Sequence, residues 1–252
     1  MSETKIALVT GGSRGLGKDM ALSLARKGLD VILTYRNQKE EAQVVMQALE
    51  AAGRKALALP LDMNNLGSYD GFVQAMADHL GGWNATGIDF LVNNAGIGGT
   101  VPFEQVSEAF FDEFLNVHYK GIFFLTQKLL PYLNEGGGIV NVSSGTTRFV
   151  NPGYSVYASM KGAMEVLTRY WAKELGPKGI RCNIVAPGPV ETDFNNGTIR
   201  SNPQLKERLA ALSPLNRVGR PDDIGGVVAF LCTDEARWIN AQRIEVAGGI
   251  NP

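Results

Sequence analysis

The chain has 252 residues, 44% hydrophobic and 19% charged, enough to bury the core of one large α/β domain, and no Pro/Ser-rich or charged tract divides it. Its 24 basic and 25 acidic residues leave a net charge of -1, which offers no field to a nucleic-acid backbone, so small-molecule partners are expected. No apolar run approaches membrane-spanning length, Met1 to Lys5 lacks a secretory pattern, and Cys182 and Cys232 form neither a C-x-x-C pair nor a disulfide framework; a cytoplasmic protein with two buried thiols is expected. With His79 and His118 as its two histidines, the chain presents no zinc ligand set, and His118 reads as packing or pocket lining.

Ile6-Ala7-Leu8-Val9 is a short apolar run, followed directly by Thr10-Gly11-Gly12-Ser13-Arg14-Gly15-Leu16-Gly17 and an amphipathic stretch through Lys27. This order predicts strand, glycine turn and helix. Glycine permits the sharp turn and a ligand's close approach, while the free N–H groups and dipole of the helix attract phosphate, so a nucleotide pyrophosphate is the expected ligand. A glycine turn that only reverses the chain is the bland alternative. A rival pattern overlaps the same residues: Gly12 to Lys18 fits the first seven positions of the P-loop G-x-x-x-x-G-K-[ST]. The eighth position needs a hydroxyl for Mg²⁺, and Asp19 instead brings a carboxylate into the first helical turn, which ranks the dinucleotide reading ahead of an NTPase.

Further strands are expected at Val31–Leu33, Ala56–Leu59, Phe90–Val92, Ile139–Val142, Asn183–Ala186 and Ile244–Val246. Helical patterns at Lys39–Ala52, Tyr69–Leu80, Phe110–Leu133 and Val156–Leu175 fall among them. Such alternation builds βαβ crossovers, and the fold class is α/β: a doubly wound parallel sheet (Rossmann fold) in a single domain, 1–252. Ligands of these sheets sit beyond the carboxyl ends of the strands. After the second strand an NAD site usually carries an acid for the ribose hydroxyls, whereas this chain has Tyr35-Arg36-Asn37. Arg36, with Arg14 in the glycine loop, instead offers charge-assisted bonds to a 2′-phosphate, so NADP(H) is expected in preference to NAD(H); two solvated arginines are the alternative.

Tyr157 and Lys161 stand four residues apart at the start of a helical pattern, so both side chains leave one helix face. A fixed ammonium stabilises a phenolate and moves tyrosine from its ordinary value of about 10 toward proton transfer near neutral pH. Taken alone, the pair is a common surface spacing.

With Asn93-Asn94-Ala95-Gly96, Ser144 and the glycine loop in this order, the chain closely resembles the short-chain dehydrogenase/reductase family over essentially its whole length. It is similar to the compact branch whose T-G-x-x-x-G-x-G fingerprint falls on Thr10, Gly11, Gly15 and Gly17, with further landmarks at Asp62, Asn116, Asn183, Pro187-Gly188 and Thr192. The resemblance implies an NADPH-dependent carbonyl reductase, reversible as an alcohol dehydrogenase. It implies Tyr157 as the acid that protonates the carbonyl oxygen while hydride reaches the carbon, and Lys161 as the group that lowers the tyrosine pKa and holds the nicotinamide ribose. Ser144 would bond the substrate oxygen, and Asn116, at an irregular point of its helix, would support a water relay to the lysine. Ser144 is preferred to Ser143 by its spacing from Tyr157, and because strand alternation puts the two on opposite faces. The cofactor contacts implied are Thr10, Gly11, Ser13, Arg14, Gly15, Leu16 and Gly17 in the loop, Tyr35 and Arg36 after the second strand, and Asp62 and Met63 beside adenine. Asn93, Ala95 and Gly96 follow, then Tyr157 and Lys161, and finally Pro187, Gly188, Val190 and Thr192 around the nicotinamide. A homo-oligomer, most naturally a tetramer, is implied as well, and no metal.

Asp193 to Leu215 mixes Asn-Asn-Gly turn chemistry with Leu205, Leu209 and Leu212, the pattern of a substrate lid (193–215) or equally of a helix packed permanently on the body. Three features depart from the family. Relatives commonly carry Asp ahead of the glycine pair Gly248-Gly249, the Gly81–Gly87 turn is longer than usual, and Glu135 stands where reductases of acyl carrier proteins tend to be basic. That glutamate repels an acidic carrier, so a 3-oxoacyl thioester is only one candidate substrate. Rival functions are a non-catalytic NADP(H)-binding sensor, which typically loses the tyrosine or lysine, an enoyl reductase, which spaces them more widely, and an NAD-dependent sugar or polyol dehydrogenase.

Overall fold

The computed structural model describes residues 4–250. Seven strands form one parallel sheet: β1 (Ile6–Val9), β2 (Asp30–Tyr35), β3 (Ala56–Pro60), β4 (Ile88–Asn93), β5 (Leu133–Val142), β6 (Arg181–Pro187) and β7 (Arg243–Val246). Their spatial order is β3-β2-β1-β4-β5-β6-β7, the doubly wound order expected. Every residue of β1 and β6 is buried, as it must be where helices cover both faces of a sheet. Alternation divides the strands between two cores. Leu8, Ile32, Leu91, Ile139 and Ile184 pack with α3 (Tyr69–Gly82), α5 (Gly121–Leu129) and α6 (Ser155–Leu175). Ala7, Val9, Val31, Leu33 and Val140 pack with α1 (Gly15–Arg26), α2 (Lys39–Ala51) and α9 (Pro221–Leu231). β1 pairs with β2 on one side and β4 on the other, and the crevice at their carboxyl ends is where such a sheet receives its ligand.

Helix α6 shows why sequence fixes the site's position. Val156, Met160, Met164, Leu167 and Trp171 recur at spacings of three to four and are all buried. Each such side chain contributes roughly 1.5–3 kcal/mol on burial, enough to clamp the face that carries Tyr157 and Lys161. The helix stops before Pro177, and Gly179 turns the chain with φ of 71°.

The continuous helix expected over Phe110–Leu133 is broken. α4 (Glu108–Leu115) starts at Ser107, whose Oγ accepts from the Phe110 N–H at 3.2 Å, and a π-helical turn at Asn116–Lys120 joins it to α5. Gly121 allows the close passage there, since a Cβ would meet the Met63 carbonyl at 2.5 Å and the Tyr69 hydroxyl at 2.7 Å. Pro131, lacking an N–H, then ends the helical path, and Leu133 already belongs to β5. Both thiols are buried as expected, which pushes Cys182 and Cys232 up to about 12. No helix among the described residues is long and apolar enough to cross a membrane.

Candidate active site

A cleft of about 770 Å³ opens at the carboxyl end of the sheet. Its floor is the β1–α1 loop. Gly11 adopts φ of 65°, its N–H donates to Thr34 Oγ1 at 3.0 Å, and Asn94 Nδ2 donates to the carbonyls of Thr10 at 2.9 Å and Gly11 at 3.1 Å. A Cβ on Gly17 would lie 2.1 Å from the Gly11 carbonyl oxygen and 2.5 Å from Asn94 Nδ2. The first turn of α1 therefore sits hard against the loop, with its free N–H groups presented to the cleft, the cradle a pyrophosphate requires. Asp19 does not disturb it: the carboxylate lies beyond the first turn, Oδ1 accepts from Ser23 Oγ at 3.1 Å, and burial raises its pKa. Gly17→Ala is expected to cost about 1–3 kcal/mol of stability by overpacking and to weaken dinucleotide affinity. Thermal melting and titration calorimetry check this, and a variant matching wild type in both contradicts the cradle.

Around the cleft stand Gly11, Ser13, Arg14, Gly15, Leu16 and Gly17, then Tyr35 and Arg36, Asp62 and Met63, Ala95 and Gly96, and Pro187, Gly188, Val190 and Thr192, each contributing to the lining. Arg14 and Arg36 are exposed, and neither forms an ion pair among the described residues. Three of the expected residues are not in the wall. Thr10 is buried behind it, its Oγ1 accepting from the N–H groups of Asn94 and Ala95 at 3.0 Å each and so pinning β4 to the loop. Asn93 also points inward. Its Nδ2 donates to Asn141 Oδ1 at 2.9 Å and Thr126 Oγ1 at 3.2 Å, and Asn141 continues to Thr168 Oγ1 at 2.9 Å, a polar tie joining β4, α5, β5 and α6. Asn116 lies in the π-helical turn as an irregularity, but does not line the cleft; His118, two residues on, does.

Ser144, Tyr157 and Lys161 come together at the other end. Ser143 Oγ turns away to donate to Glu165 Oε1 at 2.6 Å, while Ser144 Oγ accepts from the Thr146 N–H at 3.2 Å and bonds the Tyr157 phenol. Lys161 is buried, donates to the Val142 carbonyl at 2.8 Å, and holds its Nζ 5.6 Å from the centre of the Tyr157 ring. The expected lowering of the phenol by the lysine is outweighed. Burial pushes Tyr157 up to about 12, and the Ser144 hydrogen bond is what draws it back. Burial likewise brings Lys161 down to about 8.

Beyond the tyrosine the cleft is apolar. Phe194 lies 6.1 Å and Tyr154 6.3 Å from the Tyr157 ring centre, and Phe149, Leu205, Leu209 and Leu212 complete this end. Asn195 Nδ2 donates to the Tyr154 hydroxyl at 3.2 Å. The aromatic members, together with Asn94 and His118, had no sequence pattern of their own to mark them.

The family model described as Enoyl-(Acyl carrier protein) reductase matches residues 11–251. An uncharacterised oxidoreductase of Methylorubrum extorquens is 38% identical over 248 residues, 98% of this chain and 98% of that one. A short chain dehydrogenase from Burkholderia cenocepacia, solved in complex with NADP, is similar with a TM-score of 0.90 and 36% identity over 98% of both chains. The landomycin C-6 ketoreductase LanV, solved with bound NADP and rabelomycin, is similar with a TM-score of 0.89 and 34% identity, covering 98% of this chain and 96% of that one. The chain belongs to the short-chain dehydrogenase/reductase family. It is a nicotinamide-dependent oxidoreductase of the CH–OH/C=O couple.

Proposed function

We propose that the protein is an NADPH-dependent reductase of bulky apolar ketones, acting through Ser144, Tyr157 and Lys161. The observation that carries this reading is the convergence of those three side chains on one end of a cleft whose other end holds the glycine cradle and two unpaired arginines. The cradle fits a dinucleotide, because the space a Gly17 side chain would need is already taken by loop backbone and the helix N–H groups are left for phosphate. A bound nicotinamide would supply hydride to the carbonyl carbon. Tyr157, held protonated, gives its proton to the oxygen, which as an alkoxide is a far stronger base than tyrosinate. Ser144 donates a hydrogen bond to that oxygen as negative charge develops, and the Lys161 ammonium offsets the phenolate left behind.

The substrate class rests on the wall beyond Tyr157. Phe149, Tyr154, Phe194 and the three leucines give a flat, apolar surface, and LanV, a relative solved with the polycyclic ketone rabelomycin, points the same way. A sugar or polyol would leave its hydroxyls unmatched there, and the acid that an NAD enzyme carries after β2 is replaced by Tyr35 and Arg36. Tyr157 and Lys161 are retained, against the sensor reading, and their four-residue spacing is set against an enoyl reductase. We infer that 193–215 acts as a lid: α8 (Pro203–Ala211) has no buried residue yet lends Leu205 and Leu209 to the cleft. The test is NADPH consumption across cyclic aromatic ketones, short diketones, 3-oxoacyl thioesters and sugars; the first group is expected to turn over best, and sugars turning over best contradicts the assignment.

A cytoplasmic homotetramer completes the proposal. Phe111, Phe124, Val166 and Tyr170 are exposed large apolar side chains on α4, α5 and α6, surface that association would cover. Light scattering at micromolar concentration is expected to give four chain masses, and a monomer mass overturns it.

A further inference from the structure

His118 is fully buried yet forms part of the cleft wall. Its Nε2 lies 2.9 Å from the Ile97 carbonyl oxygen and 3.3 Å from the Ile97 amide nitrogen. The shorter contact makes Nε2–H the donor, which leaves Nδ1 as a lone-pair acceptor, and Nδ1 has no hydrogen-bond partner among the described residues. The ring stands edge-on to Tyr157 with 5.1 Å between centres. Burial first, and then the Lys161 charge, hold its pKa well below 6.5, so the imidazole is neutral. Lys161 has three N–H donors and gives one to the Val142 carbonyl. One wall of the cleft thus holds a buried acceptor lacking a donor beside an ammonium with donors to spare.

We propose that His118 is a positioning residue for Lys161, its Nδ1 accepting a hydrogen bond from the ammonium through a single bridging water. In this chain it takes the place that the family resemblance gives to Asn116. The proposal rests on the Ser-Tyr-Lys reading. Bridging waters satisfy buried polar atoms of this kind, and an acceptor on the lysine side favours the charged amine against the burial that opposes it. The charged amine is in turn what steadies the phenolate when Tyr157 has given up its proton. The titratable groups facing His118 are Tyr157 and Lys161, both from α6; Phe114 of α4 packs at 5.3 Å, and the loop after β4 offers backbone at Gly96 and Ile97. An imidazolium would donate from both nitrogens and cannot serve.

Two readouts test this. In the protein without cofactor, nitrogen NMR of the labelled imidazole is expected to show Nε2 protonated and Nδ1 bare at neutral pH. In steady state, His118→Phe keeps a ring against Tyr157 and removes the acceptor. Lys161 then loses its proton more readily, so the alkaline limb of kcat for ketone reduction moves about one unit to lower pH, a tenfold equilibrium change, with NADPH affinity unchanged. His118→Asn, which keeps an acceptor, holds the limb closer to wild type. A Phe variant with the wild-type limb, or an Nδ1-protonated or doubly protonated ring at neutral pH, overturns the proposal. Should His118→Phe fail to fold, the wild-type nitrogen spectrum still decides. If Tyr157→Phe remains active, the underlying mechanism fails instead.

Discussion

Tyr157→Phe lowers kcat for ketone reduction by about 10²–10⁴-fold while NADPH affinity stays within roughly threefold. The substitution removes the transferable proton and keeps the ring, with its edge contacts to His118 at 5.1 Å and Phe114 at 6.4 Å and its tilted packing on Phe194 at 6.1 Å. Lys161→Ala behaves differently. It deletes a buried amine bonded to the Val142 carbonyl, and with it both the charge facing the phenol and the group assigned to the ribose, so rate and affinity fall together. Stopped-flow turnover and fluorescence titration of NADPH separate the two outcomes. Retained turnover in the Phe variant removes Tyr157 from its role, and normal NADPH binding in the Ala variant contradicts the double duty of Lys161.

The second large effect lies at the opposite end of the cleft. Arg14 and Arg36 line it without carboxylate partners, so the 2′-phosphate of NADPH would meet two guanidinium groups that NADH leaves idle. Hydrogen bonds to charged groups contribute about 1.5–3 kcal/mol each, so Arg36→Ala weakens NADPH by roughly tenfold or more and hardly touches NADH. Adding Tyr35→Asp supplies the ribose acceptor, and the double variant shifts toward NADH. The ratio of kcat/KM for the two cofactors, in wild type and double variant, is the measurement. A wild type that favours NADH, or a ratio unmoved by the substitutions, makes these arginines ordinary surface charge.

The sheet, the glycine loop and the Ser144-Tyr157-Lys161 set were legible because each depends on short-range pattern: alternation in a strand, a turn that only glycine tolerates, a four-residue step on one helix face. What was not legible depends on phase. Asn116 and His118 are two residues apart, so they point to nearly opposite sides of a helix, and the π-helical turn adds a residue that rotates everything after it by about 100°. Packing against Met63 and Tyr69 decides which side faces the cleft, and no local pattern records it. Asn93 and Asn94 differ in the same way by one step of a strand, the first tied into the core and the second clasping the glycine loop. The aromatic end is assembled from Phe149, Tyr154 and Phe194, which tertiary structure alone brings to Tyr157.

One measurement bears most directly on the central claim: loss of reduced-nicotinamide absorbance when the enzyme is mixed with a polycyclic or other bulky aromatic ketone and either NADPH or NADH, run in parallel with Tyr157→Phe. The account predicts rapid loss with NADPH, slower loss with NADH, and none above background in the variant. Turnover that survives in the variant, or that is faster with NADH, contradicts it.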